Sequence, residues 1–273
     1  HTPPLASLAE QGVAFDNCYC DNPLCVPSRA SLMTARHGFN NEVWLNEDSL
    51  DSTIPTIAHA MTIAGYKTVL AGRMHFVGED QLHGFEHRPI GDVTNPAPAM
   101  NRAEHRFRGF YGTAESLRNA GEGDSFDLIY DTAVAMEACR AIRDHDVSGD
   151  DRPLFLIVSF YSPHDPYVMP PEHLEPYLDI DDEPIDAAGA TQHPFDRKRI
   201  ENPGFDAISP EQRRLARAAY RAKTQFVDGL MGRVLRSWRS EKLNDDAVVA
   251  YTSDHGEMLG EHGHWAKGTF YEE

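Results

Sequence analysis

Three apolar stretches of this 273-residue chain are each followed by a histidine in company suited to proton transfer or ion binding. Gly72-Arg73-Met74-His75 follows the first and Ser162-Pro163-His164-Asp165 the second. Ser253-Asp254-His255-Gly256-Glu257 follows the third, with Lys267 shortly beyond. Imidazole changes charge near neutrality and works as general acid or base. An adjacent Asp-His pair offers a metal ion one hard oxygen and one nitrogen. A fourth segment, Cys25-Val26-Pro27-Ser28-Arg29, places a cysteine where a helix begins. Pro27 suits the first helical turn, where its missing N–H costs nothing. Cys25 therefore stands at or just before a helix N-terminus, where unpaired N–H groups favour a developing anion. One histidine after a strand would mean little, but three successive strand ends bearing histidine are not what core packing produces.

The elements that must position these residues alternate along the chain. Helices are expected over Leu5–Gln11 (closed by Gly12), from Pro27 to about Arg36, over Thr56–Ala64 (closed by Gly65) and over Phe126–Asp144. A longer one is expected over Pro210–Leu243, with Ser209 as its N-cap. Strands are expected at Val13–Cys18, Tyr66–Leu70, Leu154–Phe160 and Ala247–Thr252. The unbroken apolar run Leu154–Phe160 predicts a parallel strand buried on both faces. About Ile90–Gly123 and Pro170–Pro210 read as loop excursions from a single domain spanning 1–273. This order predicts a doubly wound α/β fold, with a mostly parallel central sheet and helices on both faces. In such a sheet the ligand site lies beyond the carboxyl ends of the strands, where the histidines fall.

The net charge of −18 argues against a nucleic-acid partner, because phosphate binding needs a basic face. It also means that any anion site must be a local positive pocket in a repulsive field, built from Arg, Lys, a metal or helix N-termini. No apolar run approaches the ~20 residues needed to cross a bilayer, so no membrane partner is expected. The four cysteines, Cys18, Cys20, Cys25 and Cys139, are too few and too unevenly spaced for a disulfide framework. Cys18, Cys20 and Cys139 are expected in the core. The compartment is left open, with the cytoplasm slightly favoured over the periplasm or secretion, and a homo-oligomer is allowed.

In order, these segments resemble the sulfatase branch of the alkaline phosphatase superfamily, the formylglycine-dependent sulfuric ester hydrolases. The Met74-His75-Phe76-Val77-Gly78 and His83-Gly84-Phe85-Glu86 wording is most similar to choline sulfatase-like and arylsulfatase-type bacterial members. The resemblance implies that Cys25 is oxidised to Cα-formylglycine by a formylglycine-generating enzyme. The aldehyde hydrate is then the nucleophile. It implies that Arg29 orients that hydrate, that His75 takes a proton when sulfate is released, and that His164, helped by Lys267, protonates the leaving oxygen. Asp254 and His255, with the modified Cys25, would bind a metal, usually Ca2+, with Mg2+ or Mn2+ as alternatives. Asn46 matches a sulfate-contacting asparagine, and Arg73 stands where most relatives carry a sulfate-facing lysine. The family's first strand, with two further metal-binding aspartates, maps upstream of His1, and its smaller C-terminal sheet maps beyond the last residue. The expected substrate is a small-molecule or sugar sulfate ester. Choline itself is disfavoured, because Arg88-Pro89-Ile90-Gly91-Asp92-Val93 replaces the family's aromatic segment.

Two rival readings share these residues. One is a phosphonate monoester hydrolase or phosphodiesterase of the same superfamily. The other is a non-catalytic homologue acting as a binding module. Plainer assignments hold elsewhere. His262 and His264 read as surface or supporting residues. Asp181-Asp182-Glu183 reads as a solvated loop, lacking the spacing of a calcium loop. Trp44 and Trp265 could line a pocket or belong to the core.

Overall fold

The computed structural model describes residues 2–93, 114–180, 193–194, 208–240 and 247–272. Its centre is a parallel sheet of three strands: β1 (Lys67–Gly72), β2 (His87–Ile90) and β3 (Leu154–Ser159) in the order β2-β1-β3. β1 pairs with β3 in continuous register from Lys67 opposite Leu154 to Gly72 opposite Ser159. Side chains alternate across such a sheet. Leu70, Phe155 and Ile157 pack with Met33 of α2 (Cys25–Thr34) and Ala58 of α3 (Ile57–Ile63). Ala71 and Val158 pack on the other face with Val134 and Ala138 of α4 (Phe126–Ser148). Helices therefore cover both faces of a parallel sheet, and the doubly wound expectation holds.

Local chemistry sets the element ends. Thr56 caps α3 by accepting from the His59 N–H, while the His59 ring accepts from the Thr56 N–H. Gly65 follows with φ +88°. The long helix α5 (Pro210–Ser240) starts from a reciprocal cap, in which Gln212 N–H donates to Ser209 Oγ and Ser209 N–H to Gln212 Oε1. Small residues at Ala216, Ala219 and Ala222 bring α5 close to a cluster containing Tyr167, Met169 and Trp265. At the end of β1, Gly72 takes φ +102°, and a Cβ there would lie 2.1 Å from the Ser159 carbonyl oxygen. Only glycine lets the chain turn there into Arg73-Met74-His75.

Several expectations fail at the sheet's margin. Val13–Cys18 and Ala247–Thr252 are not strands, and Val13, Phe15, Cys18, Cys20, Val248 and Tyr251 are exposed. A strand exists only when a neighbour takes its backbone hydrogen bonds, and no described residue pairs with either segment. Cys18 and Cys20 are accordingly not core residues, while Cys139 is buried as expected. For the same reason β3, paired along one edge only, is half-buried rather than enclosed. The α1 helix (Pro3–Gln11) and α4 form as expected, α4 running on to Ser148. Most of the excursions at about 90–123 and 170–210, Asp181-Asp182-Glu183, and the last residues of the helix expected to reach Leu243 lie outside the described residues. No described helix is long and apolar enough to cross a membrane.

The loop after β3 is caged from beneath by α4 and α5. The Asp131 carboxylate accepts the Tyr161 and Ser162 N–H groups at 2.6 and 2.9 Å. Burial nevertheless pushes its pKa up to about 6. Ser162 Oγ donates to Asp127, which pairs with fully buried Lys223 at 2.6 Å. Lys223 also donates to the Pro166 carbonyl at 2.9 Å. Removing one partner of such a pair leaves a buried charge uncompensated. Lys223→Met is expected to lower stability by about 3–5 kcal/mol, measured by urea denaturation. Lys223→Met with Asp127→Asn should recover a large part of the loss.

Candidate active site

The site forms where α2 begins and β1 and β3 end. Cys25, the first residue of α2, is 1% exposed. Its Sγ lies 3.3 Å from His255 Nε2, with His75 and His164 close by. Burial opposes ionisation of this thiol, but Lys267 and Arg73, with hydrogen bonds from His164 and His255, outweigh it. The result is a pKa well below the ordinary thiol value, so the surroundings favour negative charge at that atom.

Arg29 lies one helical turn along α2 from Cys25. Its guanidinium ties three other segments together. It donates to Asp254 Oδ2 at 2.8 Å, to the Arg73 carbonyl at 2.7 Å and to Ser159 Oγ at 3.0 Å. Ser28 Oγ donates to the Asp254 carbonyl. Burial pushes the Asp254 carboxyl up, but Arg29 and His255 prevail and hold it below its usual value. Asn46 Oδ1 accepts the Val26 N–H at 3.0 Å, which places it beside the first turn of α2.

Arg73 and His75 lie just past Gly72. Buried Arg73 stacks over the Tyr161 ring at 4.5 Å, and its NH2 donates to His75 Nδ1 at 3.1 Å. Arginine can only donate, so the neutral His75 ring carries its proton on Nε2. Burial, then the Arg73 charge, push its pKa down. His164 is held from both sides. Nδ1 meets Asp165 Oδ1 at 2.7 Å, and Nε2 lies 2.6 Å from Lys267 Nζ. At that distance one nitrogen donates to the other. Burial and Lys267 push the His164 pKa down, but Asp165 outweighs them and leaves it above the ordinary value. Burial pushes the Asp165 carboxyl up, yet His164 and the Ser116 hydroxyl bring it down to about 2.

The residues expected to carry the chemistry thus lie near one another, around Cys25 and the first turns of α2. Among the described residues, Cys25, Asp254 and His255 form a cluster whose ligand atoms lie within 4.8 Å of one another, suited to a metal ion. His262 and His264 are outside it and pack on Tyr271. Trp265 belongs to the core, and Trp44 is half exposed. Asp165 and Ser159 were not singled out from sequence. Asp165 carried a signal in its adjacency to His164, whereas Ser159 is one serine among many.

A sulfatase family model matches residues 1–273, the whole chain. The chain belongs to the sulfatase family. This sulfatase chain is 36% identical to the choline-sulfatase of Rhizobium meliloti over 293 residues, covering 100% of this chain and 56% of that protein. It is 28% identical to the arylsulfatase of Clostridium perfringens, covering 99% of this chain and 61% of the relative. The chain therefore spans little more than half the length of these relatives. In fold it resembles the phosphonate monoester hydrolase of Silicibacter pomeroyi, with a TM-score of 0.72 at 23% identity, over 98% of this chain and 62% of that one. These matches agree with the α/β architecture described above.

Asp165→Asn removes the attraction that keeps the His164 pKa up. Burial and Lys267 then dominate, and the imidazole pKa should fall below its ordinary value of about 6.5. An NMR titration of the His164 ring reads this directly; an unchanged midpoint would show that Asp165 does not set it.

Proposed function

We propose that this chain carries the catalytic centre of a sulfuric ester hydrolase, cleaving the S–O bond of a small-molecule or sugar sulfate monoester. The observation that carries the reading is the cationic, histidine-lined pocket around Cys25 in a chain of net charge −18. Surroundings that favour negative charge on Sγ favour it equally on an oxygen in that position. Oxidation of Cys25 to Cα-formylglycine by a formylglycine-generating enzyme supplies that oxygen, as an aldehyde hydrate that attacks with one hydroxyl and frees sulfate through the other.

Each residue then has a task its geometry supports. Arg73 and Lys267 balance charge on the sulfuryl oxygens, and Asn46 lies close enough to the start of α2 to contact them. His164 protonates the leaving oxygen, with Asp165 fixing its ring and Lys267 hydrogen-bonded at Nε2. With Nδ1 held by Arg73, His75 presents Nε2–H to the Cys25 position and serves as a hydrogen-bond donor to the hydrate, rather than as the base the resemblance implies. Asp254 and His255 fit part of the shell of a divalent cation. Arg29 and the His255 N–H take one lone pair on each Asp254 oxygen, and the others remain available. Ca2+ takes 6–8 oxygens, more than these donors supply, so further oxygen ligands would have to complete its shell. Mg2+ and Mn2+ are the alternatives. A cation bound there would supply charge stabilisation for the transferring group.

Full-length protein produced with a formylglycine-generating enzyme should hydrolyse an aryl sulfate faster than the matching aryl phosphonate. Cys25→Ala should abolish turnover. The reverse preference would make the protein a phosphonate hydrolase. Full activity in Cys25→Ala would end the assignment. His164→Ala should slow esters of poor leaving groups by about 10²–10⁴-fold and activated aryl esters far less. Equal losses would remove His164 from the acid role.

A further inference from the structure

Beyond the residues already assigned a task, Asp92 touches two of them at once. It follows β2, and its side chain is 2% exposed. The carboxylate Oδ2 accepts the backbone N–H of His75. Oδ1 lies 3.9 Å from Arg73 Nε, an ion-pair distance beyond hydrogen bonding. Arg88 closes the arrangement from behind, with NH2 3.6 Å from Asp92 Oδ2 and hydrogen bonds to the Gly72 carbonyl at 3.1 Å and the Gln81 carbonyl at 3.0 Å. Tyr130 pins the preceding residue by donating to the Gly91 carbonyl at 2.8 Å.

What this contact holds is unusual backbone. His75 sits at φ +58°, in the left-handed region that a residue with a Cβ enters only when its surroundings fix it there. A charge-assisted bond from a buried carboxylate to that residue's own N–H is such a fixture. The same carboxylate faces Arg73 Nε, while Arg73 Nη2 meets His75 Nδ1.

We propose that Asp92 is the positioning residue of the Arg73–His75 pair. Its carboxylate locks His75 in the left-handed conformation and sets the Arg73 contact that keeps the imidazole proton on Nε2. Asp92 does not touch the reacting atoms; it acts through His75 and Arg73. The inference rests on the proposed function for its effect on turnover, but its effect on the His75 tautomer is independent of that reading.

The test compares Asp92→Asn and Asp92→Ala in the full-length protein. Asparagine keeps an oxygen for the His75 N–H and loses the charge that pairs with Arg73 and Arg88; alanine loses both. Nitrogen NMR of the His75 ring should show an Nε2–H tautomer in the parent protein, partly retained in Asp92→Asn and lost in Asp92→Ala. The kcat for an aryl sulfate should fall by about 10–100-fold in Asp92→Ala, with KM changed less and Asp92→Asn between the two. An unchanged tautomer in a folded Asp92→Ala would overturn the proposal, whatever happens to Tm. A shifted tautomer in a protein inactive from the outset would uphold it and place the fault in the functional assignment. Should Asp92→Ala not fold, Asp92→Asn decides on the same two readouts, wild-type values in both overturning the proposal.

Discussion

The Arg29 guanidinium is the constraint on which the site depends. It leaves α2 one turn after Cys25 and binds the end of β1 through the Arg73 carbonyl, the end of β3 through Ser159, and the Asp254 carboxylate. These segments are far apart in sequence, and each brings a different functional group to Cys25. Five donors in a rigid planar fork can hold such an arrangement, whereas a lysine ammonium on a flexible stem has no fixed directions to impose. Burial strengthens the effect, since the partners exchange little with water.

The second constraint is electrostatic. The chain carries a large negative charge, yet Arg29, Arg73 and Lys267 converge beside buried imidazoles with Asp254 as a counter-charge. Such a collection survives burial only when each cation meets a partner, and two carboxylates are spent largely on that. Asp165 holds the His164–Lys267 pair, and Asp92 lies behind Arg73 and Arg88. Negative charge in the second layer lets the first layer stay positive, as the anionic ester of the proposed function requires. The buried Lys223–Asp127 pair works one layer deeper, setting the loop that carries His164.

Most of the site was legible because it depends on local signals. Pro27 set the start of α2 and so the place of Cys25, and the two strands of the central sheet that the sequence marked put His75 and His164 at the same edge. What was missed is non-local. Asp92 lies in a stretch that reads as the start of a loop, and only the pairing of β2 with β1 brings it under His75. Ser159 reads as a strand residue until Arg29 reaches it. The strands expected at Val13–Cys18 and Ala247–Thr252 failed for a related reason. An apolar pattern makes a strand only where a neighbour takes its backbone hydrogen bonds, and the described residues provide none. The inward placement predicted for Cys18 and Cys20 went with them.

The most direct test of the account is the mass of the tryptic peptide ending at Arg29, from full-length protein made together with a formylglycine-generating enzyme. The account predicts the mass of an aldehyde at Cys25, the oxygen nucleophile for which the cationic pocket is built. An intact thiol there, when a control sulfatase in the same cells is converted, would contradict it.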